Sequence, residues 1–321
     1  MLNRSTIFMK PKIIVVPDVH GRKFWKDVLP YVDETQIIFL GDYLDPYYDD
    51  AIIFDMTQES VIQNFEEIIN LKRTHPESVT LRLGNHDCEY LYGRSVCNDR
   101  CDKWNYDRIQ TLFRENKDCF QIAAECRIAG KSYIFSHAGL HIRWLDDHLG
   151  NWTPENMVSL VNKLNEESLA CSEPEQTEFA RALAKRDKHR FGKDKVGSPI
   201  WADAESFIEE YLLADVIQVV GHSRTTYMQP GITGSELFLD CGSIFQISNG
   251  GKLYDKNGQL IRSKENPFNP SPDSMYKDRK IDLDAFTRLF CRECGSRNIY
   301  IKAGTFVDHW YCMDCGADEI M

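Results

Sequence analysis

The sequence predicts an α/β protein built on parallel strands. Three observations carry the prediction. Short β-branched runs recur between polar turns. Segments with helical apolar spacing separate them, and nearly every strand runs out into a small group of Asp, His, Asn and Gly. The 321 residues suit about two domains, or one large domain with an appendage.

Lys12 to Pro17 reads as a buried strand, Ile-Ile-Val-Val ahead of a polar turn. Arg22 to Val32 follows as a helix, with Phe24, Val28, Leu29 and Val32 as its apolar stripe. Gln36 to Leu40 is a second strand. Thr57 caps a helix reaching about Thr74, in which Val61, Phe65, Ile68, Ile69 and Lys72 share one face and its edge. Val79 to Leu83 is a third strand, and the βαβαβ alternation implies parallel pairing under helices. Phe120 to Ile128 and Tyr133 to Ser136 flank Ala129-Gly130-Lys131-Ser132 as a hairpin. Arg143 to about Lys193 reads as helical, with Thr153 and Pro154 as an N-cap and N1 pair. Strands return at Ile217 to Val220, Glu236 to Leu239 and Ile244 to Ser248, and Asn249-Gly250-Gly251 turns the chain. Three prolines between Asn266 and Pro272 mark a linker. The domain reading is 1–263 a main α/β domain, 264–285 linker and 286–321 a small C-terminal module.

Hydrophobic residues make up 42% and charged residues 27%, which excludes a wholly disordered, collagen-like or coiled-coil chain. Net charge is -11, from 38 basic and 49 acidic residues, a poor balance for sequence-independent nucleic-acid binding. The run Ile13 to Val16 is too short for a signal segment or a membrane span. The expectation is a cytoplasmic protein with no membrane partner. Eleven cysteines, four of them in two CxxC pairs, favour reduced thiols and a metal site over a disulfide framework. Cys97 and Cys101 lack a matching pair and read as structural thiols.

The chemistry-bearing groups are Asp18-Val19-His20-Gly21, Gly41-Asp42-Tyr43-Leu44-Asp45, Gly84-Asn85-His86-Asp87, Ser136-His137-Ala138-Gly139 and Gly221-His222-Ser223. Each follows a predicted strand, and ligands in α/β sheets bind beyond the carboxyl ends of strands. If the segment is extended, Asp18 and His20 point to the same side and can reach one ion. Taken singly, each group is more often a turn or a structural histidine; five in order make one crevice the better explanation.

This ordered set resembles the calcineurin-like metallophosphoesterase superfamily, and within it the phosphoprotein-phosphatase type that includes bacterial Ser/Thr phosphatases and symmetric dinucleoside tetraphosphatases. The resemblance covers roughly Lys12 to Leu260. It implies a four-layer α/β/β/α metallophosphoesterase sandwich with two divalent ions, Mn, Fe or Zn, at the strand ends. By motif, it implies Asp18 and His20 on the first ion, Asp42 bridging both, and Asn85, His137 and His222 on the second. His86 is implied as general acid with Asp45 orienting it and favouring its cationic form. The implied activity is hydrolysis of phosphate monoesters in a phosphorylated protein, nucleotide or small molecule. Dinucleoside polyphosphate hydrolysis is the alternative, and a non-catalytic binding protein a second. One departure stands out. The pattern has Arg-Gly after the second Asp, whereas Asp45 is followed here by Pro46-Tyr47-Tyr48-Asp49-Asp50; near Trp201, where relatives often supply another Arg, the chain reads Trp201-Ala202-Asp203. Arg94 and Arg224 are the candidate replacements for gripping phosphate.

At the C-terminus, Cys291-Arg292-Glu293-Cys294-Gly295 and Cys312-Met313-Asp314-Cys315-Gly316 have zinc-ribbon spacing, and their four thiolates form a closed structural Zn site. Tyr300, Ile301 and Phe306 to Tyr311 are its candidate strands. The ribbon is a candidate surface for a macromolecular partner.

Overall fold

Alternation along single strands sorts the core into layers. In β1 (Ile13–Val16), Ile13 and Val15 pack with Ile38 and Leu40 against the second sheet, while Ile14 and Val16 join Ile37 and Phe39 under the helices. The computed structural model describes residues 12–93, 100–190, 192–204, 206, 216–223, 231–232, 236–261, 299–302, 309–312 and 318–320. The chain divides into two compact units, Met1–Glu265 and Asn266–Met321.

In the first unit, β1 pairs in parallel with β2 (Gln36–Phe39), β2 with β3 (Val79–Arg82), and β3 with β4 (Phe120–Gln121). Its other edge takes the antiparallel strands β10 (Phe245–Ile247) and β11 (Leu253–Asp255), giving a six-stranded sheet. The second sheet orders β5 (Ala123–Ile128), β6 (Lys131–Ser136), β7 (Val216–Val220), β9 (Glu236–Phe238) and β8 (Gly231–Ile232), with β6, β7 and β9 parallel. Tyr133, Phe135, Val219 and Leu239 meet Ile13, Val15, Phe245 and Ile247 between the sheets. Helices α1 (Tyr48–Ile53), α2 (Gln58–Thr74), α3 (Asn85–Tyr92) and α4 (Tyr106–Glu115) follow the strands of the first sheet. Helices α5 (Ile142–His148), α6 (Met157–Ala170) and α7 (Glu178–Leu183) follow β6. This is the mixed α/β, two-sheet architecture with helices that the sequence predicts. In the second unit, β12 (Ile299–Lys302), β13 (His309–Cys312) and β14 (Asp318–Ile320) form an antiparallel sheet.

Local chemistry explains the boundaries. Thr57 caps α2 by accepting from Ser60 N at 3.1 Å, and Ser60 Oγ returns the bond to Thr57 N at 3.0 Å. The hairpin closes in two residues, Ala129 and Gly130 at φ 51° and 82°, and Ile128 pairs with Lys131.

Three expectations need correcting. Phe24–Tyr31 is a 3₁₀ helix, since Pro30 removes a donor. Its three-residue period buries Trp25 and Val28 and leaves Leu29 44% exposed. Phe120 to Ile128 is two strands, because the chain crosses between sheets at Ile122; Asn162 accepts from Ile122 N and Ala123 N at 3.0 and 3.1 Å and so satisfies the break. The segment after Thr153 is a turn, not a first helical turn. Asn156 Oδ1 holds Thr153 N at 2.6 Å, and α6 starts at Met157.

Phe65, fully buried on α2, packs on Tyr43 and Phe113 with ring centroids 5.4 and 4.6 Å away. Phe65→Ala should cost about 3–5 kcal/mol, whereas Thr57→Ala should cost about 1 kcal/mol. Urea titration checks both, as a lower midpoint with an unchanged slope.

Candidate metal centre

The side chains converge because every contributing strand ends on the same side. Asp18 follows β1, Asp42 and Asp45 follow β2, Asn85 and His86 open α3 after β3, His137 follows β6 and His222 follows β7. His20, Asp42, Asp45 and His222 are all left-handed, with φ between 45° and 58°. Such conformations cost of order 1–3 kcal/mol each and persist only where the surroundings hold them. They correct the expectation of an extended Asp18–His20 segment: the turn at His20, whose N–H donates to Asp42 O at 2.7 Å, brings the pair together instead. Two glycines are required by close approach. A Cβ on Gly84 would strike Asp42 Oδ1, and one on Gly221 would strike Asp18 Oδ1. Beneath them, buried Asp87 accepts from Asp42 N, Tyr43 N and Gly84 N at 2.7, 3.0 and 2.8 Å, tying the β2 and β3 loops together. Burial and then the Asp42 charge push its carboxyl up to about 8, against the pull of those N–H donors.

Two donor groups share one carboxylate. Asp18, His20 and Asp42 offer ligand atoms within 4.8 Å of one another, and so do Asp42, His137 and His222. Asp42 Oδ2 lies 3.5 Å from His20 Nε2 and 3.5 Å from His137 Nε2. The imidazoles are oriented from behind: His20 Nδ1–H donates to Leu44 O at 2.9 Å and His137 Nδ1–H to Leu40 O at 3.0 Å. Both Nε2 atoms are therefore acceptors. Around His137 Nε2 stand Asn85 Oδ1 at 2.9 Å and His222 Nδ1 at 3.0 Å. Where Asp42 Oδ2 and Asn85 Oδ1 face imidazole acceptors they repel, and a cation among them removes the repulsion. The donor set thus fits divalent metal, and it contains oxygen and imidazole but no thiolate. Burial, followed by the Asp18 charge, pushes Asp42 well above the usual carboxylate range. Burial also pushes His20 and His222 well below theirs; Arg100 is the next cause for His20 and Arg190 for His222. Neutral imidazoles are the form that ligates metal.

His86 sits beside these groups. Its N–H donates to Asp42 Oδ1 at 3.0 Å, and its Nδ1 lies 2.8 Å from Asp45 Oδ2. Tyr90 Oη donates to Asp45 Oδ1 at 2.5 Å and accepts from Asp102 N at 2.7 Å, so the carboxylate is held on both oxygens. On the far side of the ring, Arg100 Nη2 is 2.8 Å from His86 Nε2. Guanidinium only donates. Nε2 therefore accepts, and Nδ1–H donates to Asp45. Burial and then Arg100 push His86 well below its usual pKa. In this geometry Asp45 orients the His86 ring, whose Nε2 accepts from Arg100.

All eight predicted cleft residues come together. Arg94, Arg224, Cys291, Cys294 and Cys315 lie outside the described residues, as do Cys97 and the 264–285 linker; Cys312 ends β13. Sequence reasoning gave Asp87 no role beyond its place in Gly84-Asn85-His86-Asp87, and it missed Tyr90, Arg100, Arg186 and Arg22, whose Nη2 donates to Asp18 O at 2.6 Å. None repeats a spacing that marks it. Asp50 is buried, 3.6 Å from Arg22 Nη1.

The calcineurin-like phosphoesterase family model matches residues 11–225. Among solved structures, the chain is similar to a cold-active protein-tyrosine phosphatase of a psychrophilic Shewanella species, at 16% identity and TM-score 0.46 over 78% of this chain and 80% of that one. It is also similar to a protein serine/threonine phosphatase from Saccharomyces cerevisiae, at 17% identity and TM-score 0.42 over 83% of this chain and 84% of that one.

Because Asp42 belongs to both donor groups, Asp42→Asn should lower metal occupancy at both positions together. Elemental analysis of dialysed, Mn-loaded protein checks this; loss confined to one position would show that Asp42 is not shared.

Proposed function

The chain belongs to the calcineurin-like phosphoesterase family and is a metal-dependent hydrolase, and on that premise we propose that it is a two-metal phosphatase acting on phosphate monoesters. The observation that carries the reading is Asp42, common to two buried donor groups, with a ring-oriented His86 alongside. Asp18, His20 and Asp42 would hold one divalent ion, and Asp42, Asn85, His137 and His222 the other. Ions held there supply Lewis-acid polarisation of a phosphoryl group and neutralise its charge. Mn, Fe and Zn all suit the donor set.

The chain's own residues do the rest. The loops laced together by Asp87 keep the donors in place before substrate arrives, so little reorganisation is needed in the reaction. His86 faces away from Asp45 through Nε2, the atom suited to pass a proton to the leaving oxygen. Asp45 and Tyr90 hold the ring against rotation while it does so. The proton must first reach Nε2, which in this structure accepts from Arg100. Among the described residues no helix is long and apolar enough to cross a membrane. We further propose a structural Zn on Cys291, Cys294, Cys312 and Cys315, and a ribbon that serves recognition of a larger phosphorylated partner.

The central test is metal dependence. Chelation should abolish turnover of p-nitrophenyl phosphate and added Mn should restore it; full turnover after rigorous chelation would overturn the proposal. A second test separates proton donation from positioning. General acids contribute about 10²–10⁴-fold, so His86→Ala should lose that much on an alkyl phosphate and far less on p-nitrophenyl phosphate. Equal losses would mean that His86 only positions.

A further inference from the structure

Two rings flank the centre, and each carries a guanidinium supplied from another part of the chain. Arg100 lies over Tyr47, 3.8 Å from the ring centroid, and Arg186 lies over Trp201 at 4.0 Å. Each ring also meets an imidazole of the donor set edge to face. Tyr47 meets His20 at 4.9 Å and 72°, and Trp201 meets His222 at 5.6 Å and 89°. The same three-part stack of guanidinium, aromatic ring and imidazole thus occurs twice. One stands against the Asp18–His20–Asp42 group and one against the Asp42–His137–His222 group. Tyr47 and Trp201 also occupy the two sequence neighbourhoods, after Asp45 and ahead of Asp203, where an arginine was expected and is absent.

We propose that Arg100 and Arg186 grip the substrate's phosphate, with Tyr47 and Trp201 as the platforms that aim them. The proposal rests on the phosphatase reading above and names the residues that recognise the transferred group. Arg100 is the better defined of the two. Its Nη1 donates to Asp45 O at 3.1 Å and its Nη2 to His86 Nε2 at 2.8 Å, so the guanidinium stands where the leaving oxygen must approach. A phosphate dianion is a stronger acceptor than a neutral imidazole. Substrate therefore draws the Arg100 donors onto itself while the ring face keeps the plane of the guanidinium, and His86 Nε2 opens toward the leaving oxygen. A guanidinium over a ring face offers a planar fork of N–H donors that suits two phosphate oxygens and that lysine cannot reproduce.

Two other arginines near the centre have different work. Arg22 is buried, with Nε and Nη2 donating to Val19 O and Asp18 O at 3.0 and 2.6 Å. Arg190 pairs with Asp203 and donates to Ser223 Oγ at 2.9 Å, which pins the loop that carries His222.

The test is calorimetric binding of inorganic phosphate to the full-length, Mn-loaded protein, beside kcat and KM for p-nitrophenyl phosphate. A charged hydrogen-bonding partner is worth about 1.5–3 kcal/mol, or roughly 10–150-fold in affinity. Arg100→Ala should weaken phosphate binding by about that factor, and Arg186→Ala should weaken it in the same direction, with metal content unchanged. Arg100→Lys should recover only part of the loss, and Tyr47→Leu should fall between wild type and Arg100→Ala. Arg108→Ala, on a surface helix against Glu59, is the control and should match wild type. Wild-type phosphate affinity in both alanine variants overturns the proposal. If Arg100→Ala fails to keep its metal, Arg100→Lys decides, and wild-type affinity there overturns the fork. A wild-type protein that binds phosphate through these arginines but shows no metal-dependent turnover would sink the phosphatase reading and leave the grip standing. Metal-dependent turnover with arginine variants that bind phosphate normally would do the reverse.

Discussion

Two carboxylates, Asp18 and Asp42, are buried within reach of the same imidazole, His20, and the rest of the catalytic unit is arranged around that unfavourable fact. Removing a charge from water costs several kcal/mol even after relaxation, and a second like charge nearby adds to it. The chain offsets part of this with backbone donors. His222 N–H reaches both Asp18 oxygens at 3.0 and 3.1 Å, and His86 N–H reaches Asp42 Oδ1 at 3.0 Å. These donors leave Asp42 Oδ2 facing two imidazole acceptors. A divalent cation there turns repulsion among acceptors into coordination, which is why a metal-dependent family and this geometry agree.

That arrangement has a backbone cost, and the fold meets it with rigidity. Four site residues are held at positive φ, and Gly84 and Gly221 leave no room for a side chain against the two carboxylates. Such loops hold only because they hang from buried strands whose two faces are both covered. On one face of β1 and β2 lie Trp25, Phe65 and Phe39; on the other lie Phe135, Val219 and Phe245. Asp87 then couples the β2 loop to the start of α3, so Asp42 and His86 move as one piece.

Electrostatics in the cleft come from residues with no common motif. Arg100 stands between Tyr47, Asp45 and His86, and it contributes to holding both His20 and His86 neutral. An arginine after Asp45 would have brought its charge from the neighbouring loop. Tyr47 instead offers a surface on which a guanidinium from a later segment rests, with ring contact substituting for a covalent neighbour.

The sequence by itself determined the parallel strands at the heart of the first sheet and the groups at the strand ends. A parallel strand with both faces buried must be a short apolar run, and the residue types that ligate metal are few. The strand-end groups that hold Asp18, His20, Asp42, Asn85, His137 and His222 could therefore be picked out by position, with their ligand roles implied only by the family resemblance; the Thr57 cap and the hairpin at Gly130 were legible too. Only the tertiary structure decided how Asp18 and His20 meet, that Phe120 to Ile128 serves two sheets, that His86 Nε2 faces Arg100, and that Arg100 and Arg186 stand on aromatic rings. These are contacts between residues 14 to 55 positions apart, formed without periodicity. Local pattern reports what a segment needs to bury; it carries no record of which distant side chain fills the space that burial leaves.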